Sequence, residues 1–131
     1  MAALLDAQAL IAFAADEPAA QRVEDILRAR ESVTTAINLA EVVQNLLRRG
    51  ADEARVRGVL EPLGLGIISV DPSLAWRAGA VRARHYHGRT NRVSLADCCL
   101  VAAATSEDTI VTGDRALAEM ARAEGVEVVE L

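Results

Sequence analysis

Short apolar runs alternate with segments of helical spacing along the whole chain. The runs are rich in aliphatic or β-branched residues and predict five strands, at residues 2–6, 32–36, 66–70, 108–113 and 126–131. The segments between them carry apolar residues three or four positions apart, which is typical of helices with one buried face. The alternation predicts an α/β fold, with a mostly parallel central sheet flanked by helices on both faces.

Proline and glycine mark several boundaries of these elements. Pro18 and Pro72 each stand at the start of a helical segment, where a missing N–H is tolerated. Gly50 and Gly125 follow helical segments as terminating residues. Neither an internal repeat nor a linker interrupts the pattern, so we expect residues 1–131 to form a single domain.

The composition is that of a protein with a buried core. The chain has 131 residues, of which 52% are hydrophobic. It contains no run of about 18 apolar residues, so no membrane span is expected. The N-terminal segment lacks the basic leader of a signal peptide and is interrupted by acidic residues, so we expect a cytoplasmic protein.

The charges restrict the functions that are open to the chain. The net charge of -5 argues against bulk attraction to nucleic acid, because proteins that bind in that way usually carry a basic face. All 14 basic residues are arginine. Functions that depend on a lysine are therefore excluded.

Three groups of residues that often bind ligands have ordinary structural interpretations here. Cys98 and Cys99 are adjacent and have no histidine at zinc-finger spacing, which predicts reduced residues on a buried helix. His85 and His87 lack a third nitrogen or sulfur ligand, so a solvated helix end is favoured over a zinc site. Trp76 is predicted to pack in the core or at an interface rather than against a base.

Four acidic residues stand where ligands bind in parallel sheets, beyond the carboxyl ends of the strands. Asp6 ends the first predicted strand, and Asp114 follows the fourth. Glu41 and Asp97 lie in the first turns of two strongly apolar helices. We expect the four to converge on one edge of the sheet.

Each acid taken alone also has a capping interpretation. Asp6 and Asp114 are suitable N-caps for the helices that follow them. The spacings Ser94-x-x-Asp97 and Asn38-x-x-Glu41 resemble capping boxes. Together the acids favour a cation, because neighbouring carboxylates repel each other unless one joins them. Ligands that are all oxygen favour Mg²⁺ or Mn²⁺ over zinc, and metal-assisted hydrolysis of a phosphodiester is the reaction class expected of such a site.

At these residues the sequence resembles a PIN domain, specifically the ribonuclease toxin of a VapBC-type toxin–antitoxin pair. The resemblance covers the whole chain and is carried by LLDAQAL (4–10), INLAEVV (37–43), SLADCCLVAAA (94–104) and IVTGDRAL (110–117). The motifs occur in the order and at the spacing typical of that family.

The resemblance implies that Asp6, Glu41, Asp97 and Asp114 form a Mg²⁺ or Mn²⁺ site that hydrolyses RNA, with Thr112 as a supporting hydroxyl. It also implies a homodimer and a small antitoxin partner whose tail covers the active site. One departure concerns the first motif: the family usually follows its first aspartate with Thr or Ser, and this chain has Ala7 and Gln8 there. A hydroxyl that would support the metal ligand is therefore missing at that position.

Two other functions remain as alternatives. A non-catalytic PIN-like interaction module would keep the fold without the chemistry. A phospho-accepting α/β domain or phosphatase is disfavoured, because members of those families use a lysine that this chain lacks, and Gln8 stands where a second aspartate is expected.

Two surfaces are candidates for binding partners. Arg89 and Arg92 lie just before the Asp97 helix and are predicted to contact RNA phosphates, or else to be exposed loop charges. The apolar face formed by Val23, Ile26 and Leu27 is predicted to be core. Part of it, together with Val56, Val59 and Leu60, is alternatively suited to form a groove for an antitoxin helix.

Overall fold

A computed structural model describes residues 1–131 and contains one five-stranded sheet with helices on both faces. The strands are β1 (Ala3–Leu5), β2 (Ser32–Thr35), β3 (Gly66–Ile68), β4 (Thr109–Thr112) and β5 (Glu127–Glu130). Their order across the sheet is β3-β2-β1-β4-β5, and every pairing is parallel. The predicted α/β class is confirmed, and the sheet is wholly parallel.

Seven helices connect and cover the strands. They are α1 (Ala7–Ala14), α2 (Ala20–Ala29), α3 (Ala36–Arg48), α4 (Glu53–Leu60), α5 (Pro72–His85), α6 (Leu95–Ala103) and α7 (Arg115–Ala123). A 3-10 turn at Glu61–Leu63 follows α4, because Pro62 has no N–H to continue the α-helical ladder. The turn stops at Gly64, whose φ of 63° is left-handed.

One helix is shorter than its apolar pattern predicts. The pattern continues the helix of Ser94 to about residue 107, whereas α6 ends at Ala103. Beyond it, the backbone N–H and the hydroxyl of Thr105 both donate to Asp108 Oδ2, at 2.9 Å each. This local turn competes with the helix for the backbone, as short polar side chains commonly do.

The sheet divides the core into two layers, because successive residues of a strand point to opposite faces. Leu4 and Ile110 pack on one side, beneath α5, α6 and α7. Leu5 and Val111 pack on the other side, against α1, α2, α3 and α4. Each layer therefore holds its own helices, and the two sets meet only at the ends of the strands.

The two cysteines are free and buried, as predicted. Trp76 is 83% exposed, so of its two predicted locations the core is wrong and the interface stays a prediction. His85 is not free in solvent: its Nε2 lies 2.8 Å from Glu124 Oε2, which ties the end of α5 to the end of α7. None of the helices has the length and apolar character needed to cross a lipid bilayer.

Candidate active site

The site lies at the carboxyl edge of the two central strands, β1 and β4. After β1 the chain builds β2 and β3 on one side, and it then crosses over to build β4 on the other. Connections that leave in opposite directions open a crevice at such a switch point, where ligands of α/β proteins bind. Asp6 directly follows β1, and Asp114 follows β4 after a single glycine.

Asp6 is buried and held by both of its carboxylate oxygens. It is the N-cap of α1, since Oδ1 accepts a hydrogen bond of 2.8 Å from the backbone N–H of Ala9. Oδ2 accepts a short hydrogen bond from the hydroxyl of Thr112, at the end of β4. The predicted capping role is therefore correct, and it leaves the same carboxylate facing the end of β4.

Thr112 connects two of the predicted site residues. Its hydroxyl donates to Asp6 and accepts from the backbone N–H of Asp114 at 2.9 Å. Asp114 is itself the N-cap of α7, with Oδ1 accepting from Ala116 and Leu117 at 2.8 and 3.3 Å. The hydroxyl that the first motif lacks after Asp6 thus reaches Asp6 from the neighbouring strand.

Glu41 and Asp97 approach this edge from opposite faces of the sheet, on α3 and α6. Ser94 is the N-cap of α6 and accepts from the backbone N–H of Asp97 at 3.0 Å, as its spacing predicts. The capping box predicted at Asn38 is wrong. The N-cap of α3 is Thr35, whose hydroxyl oxygen accepts from Asn38 N at 3.2 Å. Glu41 is therefore not required to cap its helix.

The acids affect one another's ionisation. Burial raises the pKa of Asp6 to about 6, opposed by its hydrogen bonds and assisted by the charges of Asp97 and Asp114. Burial also raises the pKa of Glu41, and the charge of Asp97 adds to the effect. The pKa of Asp97 is raised first by burial and then by the charge of Asp114. Mutual effects of this kind require that the carboxylates share one region.

No arginine or histidine contributes to the pKa shifts of Asp6, Glu41 or Asp97. None of the four acids forms a salt bridge with an arginine or a histidine. No three histidine, cysteine, aspartate or glutamate side chains are close enough together to coordinate one metal ion by themselves. The all-oxygen donor set still fits Mg²⁺ or Mn²⁺, because Mg²⁺ keeps several waters and uses only one or two carboxylates directly.

Arg89 and Arg92 lie in the loop that precedes α6, and their contact with RNA phosphates stays a prediction. Both are exposed in the 87–92 loop, which folds back through a hydrogen bond of 2.7 Å from His87 N to Asn91 O. Arg92 Nε donates to Gly88 O at 2.6 Å within the same loop. Neither arginine forms an ion pair with an acid of the site.

Polar residues of α3 that sequence reasoning missed border the site. A cleft of about 500 Å³ lies between α1 and α3, and Glu41, Gln44, Asn45 and Arg48 are among its lining residues. On a helix these positions fall on one face. The signal available in the sequence was this polar stripe at helical spacing in an otherwise apolar helix.

Two buried amides near these residues have unsatisfied atoms. Asn38 is fully buried, and its Oδ1 accepts from the Thr35 hydroxyl at 2.5 Å while its Nδ2 has no partner. Asn45 Oδ1 is also buried and unpaired. Unpaired buried polar atoms are uncommon in proteins and often mark functional sites.

Several solved structures share this fold. The VapBC2 structure from Rickettsia felis, bound to a promoter DNA fragment, matches with a TM-score of 0.68 at 16% identity, covering 100% of this chain and 99% of that chain. A toxin–antitoxin complex from Klebsiella pneumoniae matches with a TM-score of 0.66 at 22% identity, covering 86% of each chain. FitAcB from Neisseria gonorrhoeae matches with a TM-score of 0.68 at 21% identity, covering 98% of this chain and 96% of that chain.

No curated protein matches the sequence. The family model of the PIN domain matches residues 3–123, which span all four acidic positions and both layers of the core. PIN domains are generally nucleases. Because this family model matches most of the chain, and the fold agrees with it, the chain belongs to the PIN domain family.

Proposed function

We propose that this protein is a metal-dependent endoribonuclease and the toxin of a type II toxin–antitoxin pair. The proposal is supported by the effects of Asp97 and Asp114 on the pKa values of the acids Asp6, Glu41 and Asp97 at the strand switch point, and by the lack of a salt bridge to any of the four. Burying like charges is costly unless a cation joins them. A divalent metal is the cation that this set of oxygens suits.

The four acids would hold Mg²⁺, or Mn²⁺ in its place. When bound, the ion supplies an activated water and stabilises negative charge on a phosphodiester. Asp6 is the most rigidly held of the four, by Ala9 N and by the Thr112 hydroxyl. A ligand fixed by such partners keeps its orientation when substrate enters.

Glu41 is the acid suited to act as a general base. It lines the cleft between α1 and α3, so it faces the side from which a large substrate approaches. Its raised pKa favours uptake of a proton from a water that attacks the phosphorus. Hydrolysis then leaves a phosphate on one RNA fragment and a hydroxyl on the other.

The partner proposed for this chain is a small antitoxin protein. Support comes from the similar structures, which are described as VapBC2, a toxin–antitoxin complex and FitAcB. An inhibitor could neutralise the acids with an arginine of its own, because guanidinium pairs bidentately with carboxylates.

A second copy of the chain is the partner proposed for an apolar surface beside the site. Ile37, Val70 and Leu95 are 40%, 40% and 58% exposed and line a depression in which every lining residue is apolar. Trp76 stands next to it on α5. Contiguous exposed apolar surface marks an interaction site, and one patch can pair with its own copy about a two-fold axis.

The proposed activity is tested with purified protein and single-stranded RNA, in Mg²⁺, in Mn²⁺ and in EDTA. We expect cleavage with either ion and none in EDTA, and we expect the co-purified antitoxin to suppress it. Intact RNA under all conditions would replace the nuclease by a non-catalytic interaction module.

A further inference from the structure

The cleft between α1 and α3 begins at the acidic cluster. Ala7, which follows Asp6, lines it from α1, and Glu41 lines it from α3. The lining of α3 then continues through Asn45 to Arg48. Seven residues of helix separate Glu41 from Arg48, a distance of about 10 Å along the axis.

The far end of the cleft is basic. Arg48 and Arg49 both line it and both are exposed. Arg48 forms no salt bridge, and Arg49 Nη1 lies 3.6 Å from Glu17 Oε2, a distance at which an exposed pair contributes little. Although the protein carries a net charge of -5, this end of the cleft therefore has two neighbouring cations with weak or no partners.

The middle of the cleft offers hydrogen bonds. Gln8 and Gln44 both line it, both are exposed, and each carries an amide that can donate and accept hydrogen bonds. A hydroxyl group that enters the cleft can donate to an amide oxygen of this kind. The 2′-hydroxyl is such a donor, and it is the group by which a protein distinguishes RNA from DNA.

We propose that this cleft is the subsite for the RNA backbone beside the cleaved bond. Arg48 and Arg49 contact phosphates, and the exposed amide of Gln44 accepts a hydrogen bond from a 2′-hydroxyl. This subsite is a source of local positive charge separate from the 87–92 loop. The inference rests on the proposed ribonuclease function, since it assigns the strand that the acids would cut.

The test measures binding separately from cleavage. A labelled single-stranded RNA and a DNA of the same sequence are titrated by fluorescence anisotropy with protein carrying Asp97→Asn, over a range of salt concentrations. Arg48→Ala and Arg49→Ala are added to that background, and Arg55→Ala is the control. Arg55 is an exposed arginine of α4 that does not line the cleft, and its replacement changes the charge equally.

Each cleft variant should lower the salt slope of RNA binding by about 0.7, the contribution of one phosphate contact on a single strand. With a slope change of that size, the loss of RNA affinity relative to the parent protein is about fivefold greater at 0.1 M salt than at 1 M salt. Arg48→Lys should retain most of the slope. Gln44→Ala should reduce the preference for RNA over DNA, and Arg55→Ala should leave both properties unchanged.

Two results would overturn the inference while the ribonuclease function stands. In the first, the wild-type protein cuts RNA, but the cleft variants bind RNA with the same affinity and the same salt slope as the control variant. The other is an effect of Arg48→Ala on antitoxin binding alone, which would make the cleft a protein-binding site. A parent protein that cuts no RNA would instead overturn the proposed function.

Discussion

Asp6 combines two roles that favour different protonation states. As the N-cap of α1 it is best ionised, because its carboxylate accepts from Ala9 N at the positive end of the helix. Burial favours the neutral acid instead and raises the pKa to about 6. A bound cation would favour the ionised carboxylate that the cap also requires. Asp6 therefore has the properties of a metal ligand.

The first prediction concerns the pH dependence of stability without metal. The carboxyl of Asp6 has an ordinary pKa of 3.8 and a folded pKa of about 6, so the unfolded chain ionises first. Stability is therefore fully present below about pH 4 and is lost as the pH rises through 6, by on the order of 3 kcal/mol. Asp6→Asn removes this titration and can still cap the helix.

Denaturant unfolding of both proteins in EDTA at pH 4.5 and pH 7 checks this expectation. From pH 4.5 to pH 7, the free energy of unfolding of the mutant should increase relative to that of the wild type. An equal difference in the free energy of unfolding at both pH values would contradict the pKa assigned to Asp6.

At the scale of elements, three neighbouring strands end in the same way. β2, β1 and β4 lie side by side, and each is followed by the N-cap of a helix, at Thr35, Asp6 and Asp114. The N-termini of α1, α3 and α7 therefore face one edge, where their dipoles favour negative charge. Asp6 and Asp114 are therefore both helix N-caps and acids of the proposed site.

Thr112→Val tests how the strands position the site. The change removes the donor to Asp6 and the acceptor for Asp114 N while keeping the shape of the side chain. We expect a loss of about 1–3 kcal/mol in stability and a clear fall in RNA cleavage. Thr109→Val, at the other end of β4, is the control and should reduce stability with little effect on cleavage.

Equal cleavage by the two threonine variants would mean that Thr112 supports the fold alone. The melting temperature of each variant separates lost activity from lost structure. A folded Thr112→Val protein that no longer cuts RNA is the expected outcome.

The features that could be predicted from sequence are those with local causes. The strands, the N-caps at Asp6 and Asp114 and the Ser94 cap depend on residues close together in the chain. The convergence of the acids followed from the general rule for parallel sheets. Thr35 was missed as a cap because its β-branched side chain assigned it to the strand, and the residue in fact ends β2 and caps α3.

The errors have tertiary causes. The core alternative for Trp76 was wrong because α5 directs the side chain outward. The position of Arg48 in a cleft was missed because it depends on how α1 packs against α3. Such relationships between distant segments are not visible in a pattern of local spacing.

At the scale of the whole molecule, the exposed apolar surface predicts association. Leu95 lies two residues before Asp97, and Ile37 lies four residues before Glu41, so the surface borders the site. Trp76→Glu should shift the protein from dimer to monomer, because a carboxylate is costly to bury in an apolar contact. Leu47→Glu, at an exposed apolar position outside the depression, is the matched control.

Light scattering after size exclusion, at several protein concentrations, measures the mass of each species. A wild-type protein that stays monomeric at all concentrations would contradict the dimer. An equal effect of both substitutions would mean that the association does not depend on this surface.

We infer that the four acids form one metal-dependent site, and the variant Asp97→Asn tests this inference. Asp52→Asn is the control, the same chemical change at an exposed N-cap of α4. Thermal melts with and without Mg²⁺ are recorded beside RNA cleavage. Without metal, Asp97→Asn should be at least as stable as wild type, because it relieves repulsion at the site.

With Mg²⁺, the wild type and Asp52→Asn should melt at higher temperature, and Asp97→Asn should gain much less, since a ligand stabilises only the state that binds it. Cleavage should be lost in Asp97→Asn and kept in Asp52→Asn. An Asp97→Asn protein that melts lower without metal yet still cuts RNA would contradict the claim.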